Sequence, residues 1–316
     1  MPLITRIPDA QTNPKYGKRP EERTWKELIH NGVIVIDKPA GPTSHQVSAY
    51  VQKILGIPKA GHSGTLDPQV TGVLVTGLSE ATKVVHHLLI SGKQYVCIMH
   101  LHKPVEEYQL RKVLADFTGI IKQLPPVKSA VKRQIRERTV YDVKVIEIRG
   151  QDILFSMDCQ AGTYVRKFCH DVGQALGCGA HMAALRRTRV AHFTEPQAVT
   201  LQTLTDAFVA ANNGNEKELM NMLRPVEEAV AHLPHIVILD SAINALSHGV
   251  QLKVPGIVAY DDSIRRGKPV AIYSMKGELV ATATAQMDAG QMSGPSGLAT
   301  KTERVYLPPE TYPRMQ

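Results

Sequence analysis

The pattern that most restricts this chain is an irregular interleaving of two hydrophobic periods. From Gly32 onward, short β-branched apolar runs alternate with amphipathic segments, but without the strict strand–helix–strand rhythm of a doubly wound parallel sheet. Residues 33–36, 73–77, 95–101 and 140–148 have the composition of strands, as does the alternating stretch 153–159. Helical spacing covers residues 80–89, 105–117 and 164–176. Thr43 or Ser44 can cap a further helix with Val47, Val51, Ile54 and Leu55 on one face. The expectation is an α+β fold with a mixed, largely antiparallel sheet.

The texture changes at both ends. Residues 201–233 hold two helical stretches parted by a polar turn at 212–216. After Pro234, short strands at 236–239, 256–260, 269–273 and 278–283 are separated by Gly-, Pro- and Lys-rich turns, and 288–297 has the composition of a loop. That spacing predicts a small β-barrel or sandwich. Residues 1–30, punctuated by Pro8, Pro14 and Pro20, form an arm that either associates with the C-terminal unit or is disordered. The chain thus divides into an arm over 1–30, a larger domain over 31–233 and a small one over 234–316.

Lys and Arg outnumber Asp and Glu by 37 to 29, and a formal charge of +8 favours a polyanionic partner, since each neutralised phosphate releases condensed counterions. Cys97, Cys159, Cys169 and Cys178 form no CxxC pair, which argues against a zinc site or a disulfide framework and for a reducing, cytoplasmic compartment. No apolar stretch approaches membrane-spanning length, and the polar N-terminus lacks the apolar core of a secretion signal. His86-His87 and His100-Leu101-His102 lack a carboxylate or thiolate complement, so they are expected to be solvated or capping histidines and not metal ligands.

The stretch richest in chemistry is Gly61-His62-Ser63-Gly64-Thr65-Leu66-Asp67-Pro68, which runs through Gly72 into an apolar segment. Pro68 biases Asp67 away from helical backbone, so its carboxylate projects from a turn. On spacing alone, an Asp-Pro turn between two core elements is the commoner use of such a dipeptide.

The full string, however, resembles the active-site motif of the TruB-type pseudouridine synthases, with Asp67 in the place of their catalytic aspartate. Four further blocks match the family in order: Asp37-Lys38-Pro39-Ala40-Gly41-Pro42-Thr43-Ser44-His45; Lys93-Gln94-Tyr95-Val96; Leu124-Pro125-Pro126-Val127-Lys128-Ser129-Ala130-Val131-Lys132; and Gly162-Thr163-Tyr164-Val165-Arg166, continuing to Leu185-Arg186-Arg187. The resemblance implies an RNA isomerase that needs no cofactor and no metal. Uridine becomes pseudouridine when its glycosidic bond breaks, the base rotates and carbon C5 is joined to the sugar. Asp67 would act as nucleophile on sugar or base, or as a base on the sugar. Arg166 would pair with Asp67, keeping it ionised and oriented. Tyr95 would stack on the target base, Tyr164 and Leu185 would line the pocket, and His62 would support the extruded uridine, whose unstacking costs a few kcal/mol. Lys38 and Lys132, from the basic blocks, would contact RNA. Without the family, Tyr95 would be a core tyrosine, Arg166 a solvated charge, and the run 132–138 either a solvated hairpin or a phosphate contact.

Two features bear on the branch. Gly249-Val250-Gln251-Leu252-Lys253-Val254-Pro255-Gly256-Ile257 and Gly277-Glu278-Leu279-Val280-Ala281 resemble a PUA domain, a small RNA-binding barrel, in which Lys253, Arg265, Arg266 and Lys268 would be candidate RNA contacts. After the Tyr95 strand, Met99-His100-Leu101-His102-Lys103-Pro104-Val105-Glu106-Glu107 runs almost directly into a helix, without the acidic, Thr-rich motif and long insertion of stand-alone bacterial enzymes. Together these resemble the archaeal counterpart of dyskerin, the catalytic subunit of H/ACA guide-RNA particles. The partners so implied are an H/ACA guide RNA, substrate rRNA or tRNA, a small Nop-type protein, a Gly/Arg-rich-type protein and a kink-turn-binding ribosomal-type protein. The alternatives are a stand-alone enzyme for the T-loop uridine of tRNA and a non-catalytic RNA scaffold.

Overall fold

A computed structural model describes residues 3–125 and 134–314. Its larger sheet runs, edge to edge, through Leu223–Pro225, Gly32–Lys38, Thr71–Leu78, Ala180–Val190, Lys93–Leu101, Asp152–Cys159, Arg136–Arg149 and Gly119–Gln123. Among the described residues every neighbouring pair in it is antiparallel except Thr71–Leu78 beside Ala180–Val190. The mixed, largely antiparallel α+β expectation therefore holds.

Val33, Ile34, Val35 and Ile36 form a continuous apolar run because both faces of their strand are covered. Ile34 and Ile36 pack with Val47, Val51 and Leu55 of the helix Ser44–Leu55 and with Leu204 and Ala207 of Leu201–Asn212. Val33 and Val35, with Val73 and Val75, face the other side, in an apolar cluster that runs through Val84, Leu88, Val226 and Val230 to Ala271, Tyr273, Leu279 and Tyr306 of the C-terminal unit. Each such side chain contributes about 1.5–3 kcal/mol relative to exposure. Further along the sheet, Phe155 and Met157 meet Phe168 and Val172 of the helix Val165–Ala175 and Leu110 and Leu114 of Glu107–Asp116.

The smaller sheet orders Leu3–Thr5, Ile257–Asp261, His235–Ile238, Pro269–Ser274, Leu279–Ala285 and Thr300–Val305. Its first strand comes from the N-terminal arm, in register Leu3↔Asp261. The arm then stitches the units together. Thr12 Oγ1 and the Asn13 N–H donate to Asp240 at 3.0 and 2.8 Å, and the Lys18 N–H donates to Glu278 at 2.8 Å. Arg23 donates twice to Glu227, at 2.8 and 2.9 Å, and the Leu279 N–H donates to the same carboxylate at 2.8 Å. Trp25, Leu28 and Ile29 of the helix Trp25–His30 close the arm onto the larger core.

Three expectations need correcting. The 80–89 helix is a 3-10 turn over Ser79–Val84 followed by α-helix over Val85–Ile90. The second helical stretch stops at Met222, because Pro225 supplies no N–H and disfavours helical backbone at Arg224; Leu223–Pro225 instead joins the sheet edge. The C-terminal unit also contains a helix, Asp240–Ser247, and a last strand, Thr300–Val305, that the sequence reading did not assign.

The Arg23–Glu227 pair is only 11% and 10% exposed, so it couples arm, larger domain and C-terminal unit in a low-dielectric setting. Glu227→Ala strands the guanidinium and the Leu279 N–H together. Its expected cost is about 3–5 kcal/mol, read from the urea midpoint. A loss below 1 kcal/mol would mean that water solvates the pair.

Candidate active site

Asp67 sits in the loop between the strands Ala60–His62 and Thr71–Leu78, with about half of its side chain exposed. The backbone beneath it is fixed by buried polar groups. Lys38 is fully buried, and its Nζ donates to the carbonyls of Pro39, Pro68 and Val70 at 2.9, 3.0 and 2.9 Å. Ser44 Oγ accepts from the Leu66 N–H at 2.8 Å, and the Val70 N–H donates back to the Asp67 carbonyl at 2.9 Å. Leu66 and Val70, 4% and 3% exposed, anchor the loop on the core. Gly72, at φ +103, ends it: a Cβ there would lie 2.2 Å from the Arg187 carbonyl across the parallel bridge.

Arg166 reaches Asp67 from the first turn of Val165–Ala175 and pairs with its carboxylate. Tyr164, half-buried, is the N-cap of that helix. Tyr95 and Leu185 lie on neighbouring strands, opposite Arg187 and Cys97 respectively, and both pack against the core that the same helix covers. The structure therefore brings Asp67, Arg166, Tyr95, Tyr164 and Leu185 to one region, where the helix begins over the loop.

His62 stacks edge-on against His45, with ring centroids 4.7 Å apart, and its Nδ1 accepts from the Gly64 N–H at 3.4 Å. Burial, with the nearby charges of His45 and Arg187, pushes its pKa down to about 4, so it is neutral at pH 7.

Lys38 corrects the sequence expectation: a fully buried ammonium that donates to three carbonyls is a brace for the Asp67 loop and not a surface contact for RNA. Burial lowers its pKa, assisted by the charge of Arg187. Lys132 lies outside the described residues. Lys253, Arg265, Arg266 and Lys268 are exposed on the C-terminal unit, apart from the Asp67 loop. Arg265 donates to the Asp262 carbonyl at 2.9 Å, and the Arg266 N–H to Asp288 at 2.8 Å. His87 is buried and bonded to Thr282 at 3.1 Å, His100 pairs with Asp152 at 2.7 Å, and His102 meets His181 at 3.0 Å. Among the described residues no group of three or more His, Cys, Asp or Glu could hold a metal ion, and no helix is long and apolar enough to cross a membrane.

Arg187 was missed as a functional residue. It is 1% exposed, directly opposite Tyr95, and donates to the carbonyls of Val73 at 2.7 Å and Gly64 at 3.2 Å. Burial raises the pKa of the Tyr95 hydroxyl, and the nearby Arg187 charge opposes the rise. Arg187 ends the family block Leu185-Arg186-Arg187, but its place opposite Tyr95 depends on strand register.

Lys38→Met leaves three loop carbonyls without a donor, and the expected loss is on the order of 3–5 kcal/mol in chemical denaturation. A second expectation concerns pH. His62 and His232, the latter bonded to Ser91 at 3.2 Å, are both held neutral to about pH 4, whereas the unfolded chain takes up protons below about 6.5. Stability is therefore complete above pH 6.5 and falls as pH drops from there to 4, by at most about 1.4 kcal/mol per pH unit for each histidine. His232→Gln should flatten the slope of denaturation midpoint against pH across that window; an unchanged slope would contradict it.

Comparison with known proteins agrees with this geometry. Residues 52–109 and 102–165 match the TruB family pseudouridylate synthase N-terminal domain, and 166–231 match the tRNA pseudouridylate synthase B C-terminal domain. Residues 234–306 match the PUA domain and 3–48 the DKCLD (NUC011) domain. The chain is 50% identical over 314 residues to a probable tRNA pseudouridine synthase B of Methanosarcina barkeri, covering 99% of this chain and 93% of that one. The corresponding Methanothermobacter thermautotrophicus protein is 51% identical over 311 residues, with 98% and 96% covered. Among solved structures, the fold matches a chain of a Cbf5–Nop10–Gar1 complex with a TM-score of 0.96 and 46% identity, over 99% of this chain and 96% of that one. It also matches a chain of an H/ACA RNP bound to a substrate RNA containing 2′-deoxyuridine, with a TM-score of 0.93 and 44% identity, over 99% and 96%. Related along its length to these proteins, the chain belongs to the TruB family of pseudouridine synthases, isomerases that act on RNA.

Proposed function

We propose that this synthase is the catalytic subunit of an H/ACA guide-RNA particle, isomerising uridine in rRNA, or in tRNA, at sites chosen by the guide. The observation that carries the reading is the whole-chain match to the Cbf5 complex, which extends through the arm and the PUA domain and not only over the catalytic sheet. Residues 102–106 alone join the strand Lys93–Leu101 to the helix Glu107–Asp116, so no long insertion grips substrate at that point and recognition falls to other components. Those components are a guide RNA, the Nop10- and Gar1-type proteins of the matching complex, and a kink-turn-binding ribosomal-type protein.

In this reading Asp67 attacks the uridine, or deprotonates its sugar, and the Arg166 ion pair fixes the direction of the carboxylate. Tyr95 offers a ring to the extruded base, and Tyr164 and Leu185 exclude water around it. His62, neutral, can fill space beside the splayed nucleotide without repelling the basic surroundings. Lys253, Arg265, Arg266 and Lys268 would meet guide-RNA phosphate on the PUA domain. A second reading, a stand-alone enzyme for the tRNA T-loop, is favoured by the names of the Methanosarcina and Methanothermobacter relatives.

Formation of the C5–sugar bond expels the C5 hydrogen, so tritium release from 5-labelled uridine in a guide-matched RNA reports turnover. With accessory proteins present, release is expected only when the guide is added, and Asp67→Ala should abolish it. Equal release without guide, or T-loop modification by the protein alone, would select the second reading.

A further inference from the structure

We propose that Gln123 is a positioning residue for the isomerisation, holding Tyr164 and Arg166 in their reactive places from the opposite edge of the sheet. The inference rests on the assignment of Asp67 and Arg166 above. Gln123 ends the strand Gly119–Gln123 and is 2% exposed. Its amide serves both backbone groups of one residue: Oε1 accepts from the Tyr164 N–H at 3.0 Å, and Nε2 donates to the Tyr164 carbonyl at 3.1 Å. That carbonyl also accepts the first helical hydrogen bond, from the Phe168 N–H at 2.9 Å.

The helix Val165–Ala175 has no side-chain cap of its own at Tyr164. Helix starts usually recruit a local side chain for their orphan backbone groups. Here Gln123, from 41 residues away in the chain, satisfies one of them, the Tyr164 N–H. Arg166 is two residues further on, so the start of the helix determines where its guanidinium meets Asp67. A buried amide at this point is also expensive unless both ends are satisfied, which only the present placement of Tyr164 does. The preceding loop is tied in the same direction, since the Thr139 N–H donates to Gln160 Oε1 at 3.0 Å and Thr163 Oγ1 donates to the Gln160 carbonyl at 2.7 Å. Gln123 thus acts through Tyr164 and Arg166 and does not itself touch the reacting base.

The test is single-turnover kinetics of the assembled particle on guide-matched RNA, with affinity for that RNA measured separately. Gln123→Met keeps the volume and removes both hydrogen bonds. It is expected to slow the chemical step on the order of tenfold to a hundredfold. The dissociation constant should stay within about twofold, since paired nucleotides and phosphates dominate affinity. In an Arg166→Lys protein the same substitution should cost less than about threefold more, because residues that act through one another are not additive. Gln123→Glu keeps the shape and the acceptor for the Tyr164 N–H but sets an oxygen against the Tyr164 carbonyl. It should slow the reaction likewise, and it stands in should the methionine variant not fold, as judged by thermal unfolding. The proposal is overturned by a rate within twofold of wild type, by a loss that lies in affinity, or by equal slowing in both backgrounds. Guide dependence is read on the wild-type particle in the same assay, so failure of that reading is separable.

Discussion

The fold depends on one constraint: the strands Gly32–Lys38 and Thr71–Leu78 are buried on both faces. Even-numbered residues such as Ile34, Ile36 and Leu74 face the helices of the larger domain, and odd-numbered ones such as Val33, Val35 and Val75 share an apolar layer with Val84, Leu88, Val226 and Val230 that continues into Ala271, Tyr273 and Leu279 of the PUA domain. A sheet with one solvated face would carry polar residues at alternate positions. Here the layer behind the valines is continuous with the PUA domain, so parting the two units opens a single apolar cluster. The PUA domain is in consequence part of the enzyme's core and not a module on a tether.

The same strand pair builds the site. Lys38 closes the first strand and spends its three donors on the carbonyls around the Asp67 turn, while the second strand begins as that turn ends. Asp67 is thereby presented from an ordered loop although its own carboxylate is half exposed. Preorganisation of this kind matters for an isomerase, because positioning can supply much of the rate.

Legibility followed the range of the interaction. Local signals narrowed the helix cap to Thr43 or Ser44, of which Thr43 forms the reciprocal cap with Gln46, and were sufficient for the amphipathic period of Val47, Val51 and Leu55. Asp67 and Arg166 were readable only through family resemblance, since an Asp-Pro turn and a helical arginine are individually common. Thr300–Val305 escaped notice because Lys301, Glu303 and Arg304 are outward-facing residues of an edge strand, where the apolar signal is faint. Lys38 was misplaced for a physical reason: composition treats a lysine as solvated, and only the tertiary fold offers three carbonyls within reach of one ammonium. Gln123 and Arg187 belong to the same class, side chains whose partners are backbone groups 41 and 114 residues distant.

Those long-range partners have a common electrostatic consequence. Lys38 and Arg187 are buried cations whose hydrogen bonds go to backbone carbonyls. Carbonyl dipoles offset the desolvation of a cation but leave its unit charge in place. The ground beneath the Asp67 loop is therefore positive, and His62, lowered first by burial and then by His45, is held neutral with help from the Arg187 charge. An enzyme that acts on RNA, a polyanion, gains from such a floor. It attracts phosphate toward the site while keeping its cations out of competition for the Asp67 carboxylate, which is left to Arg166.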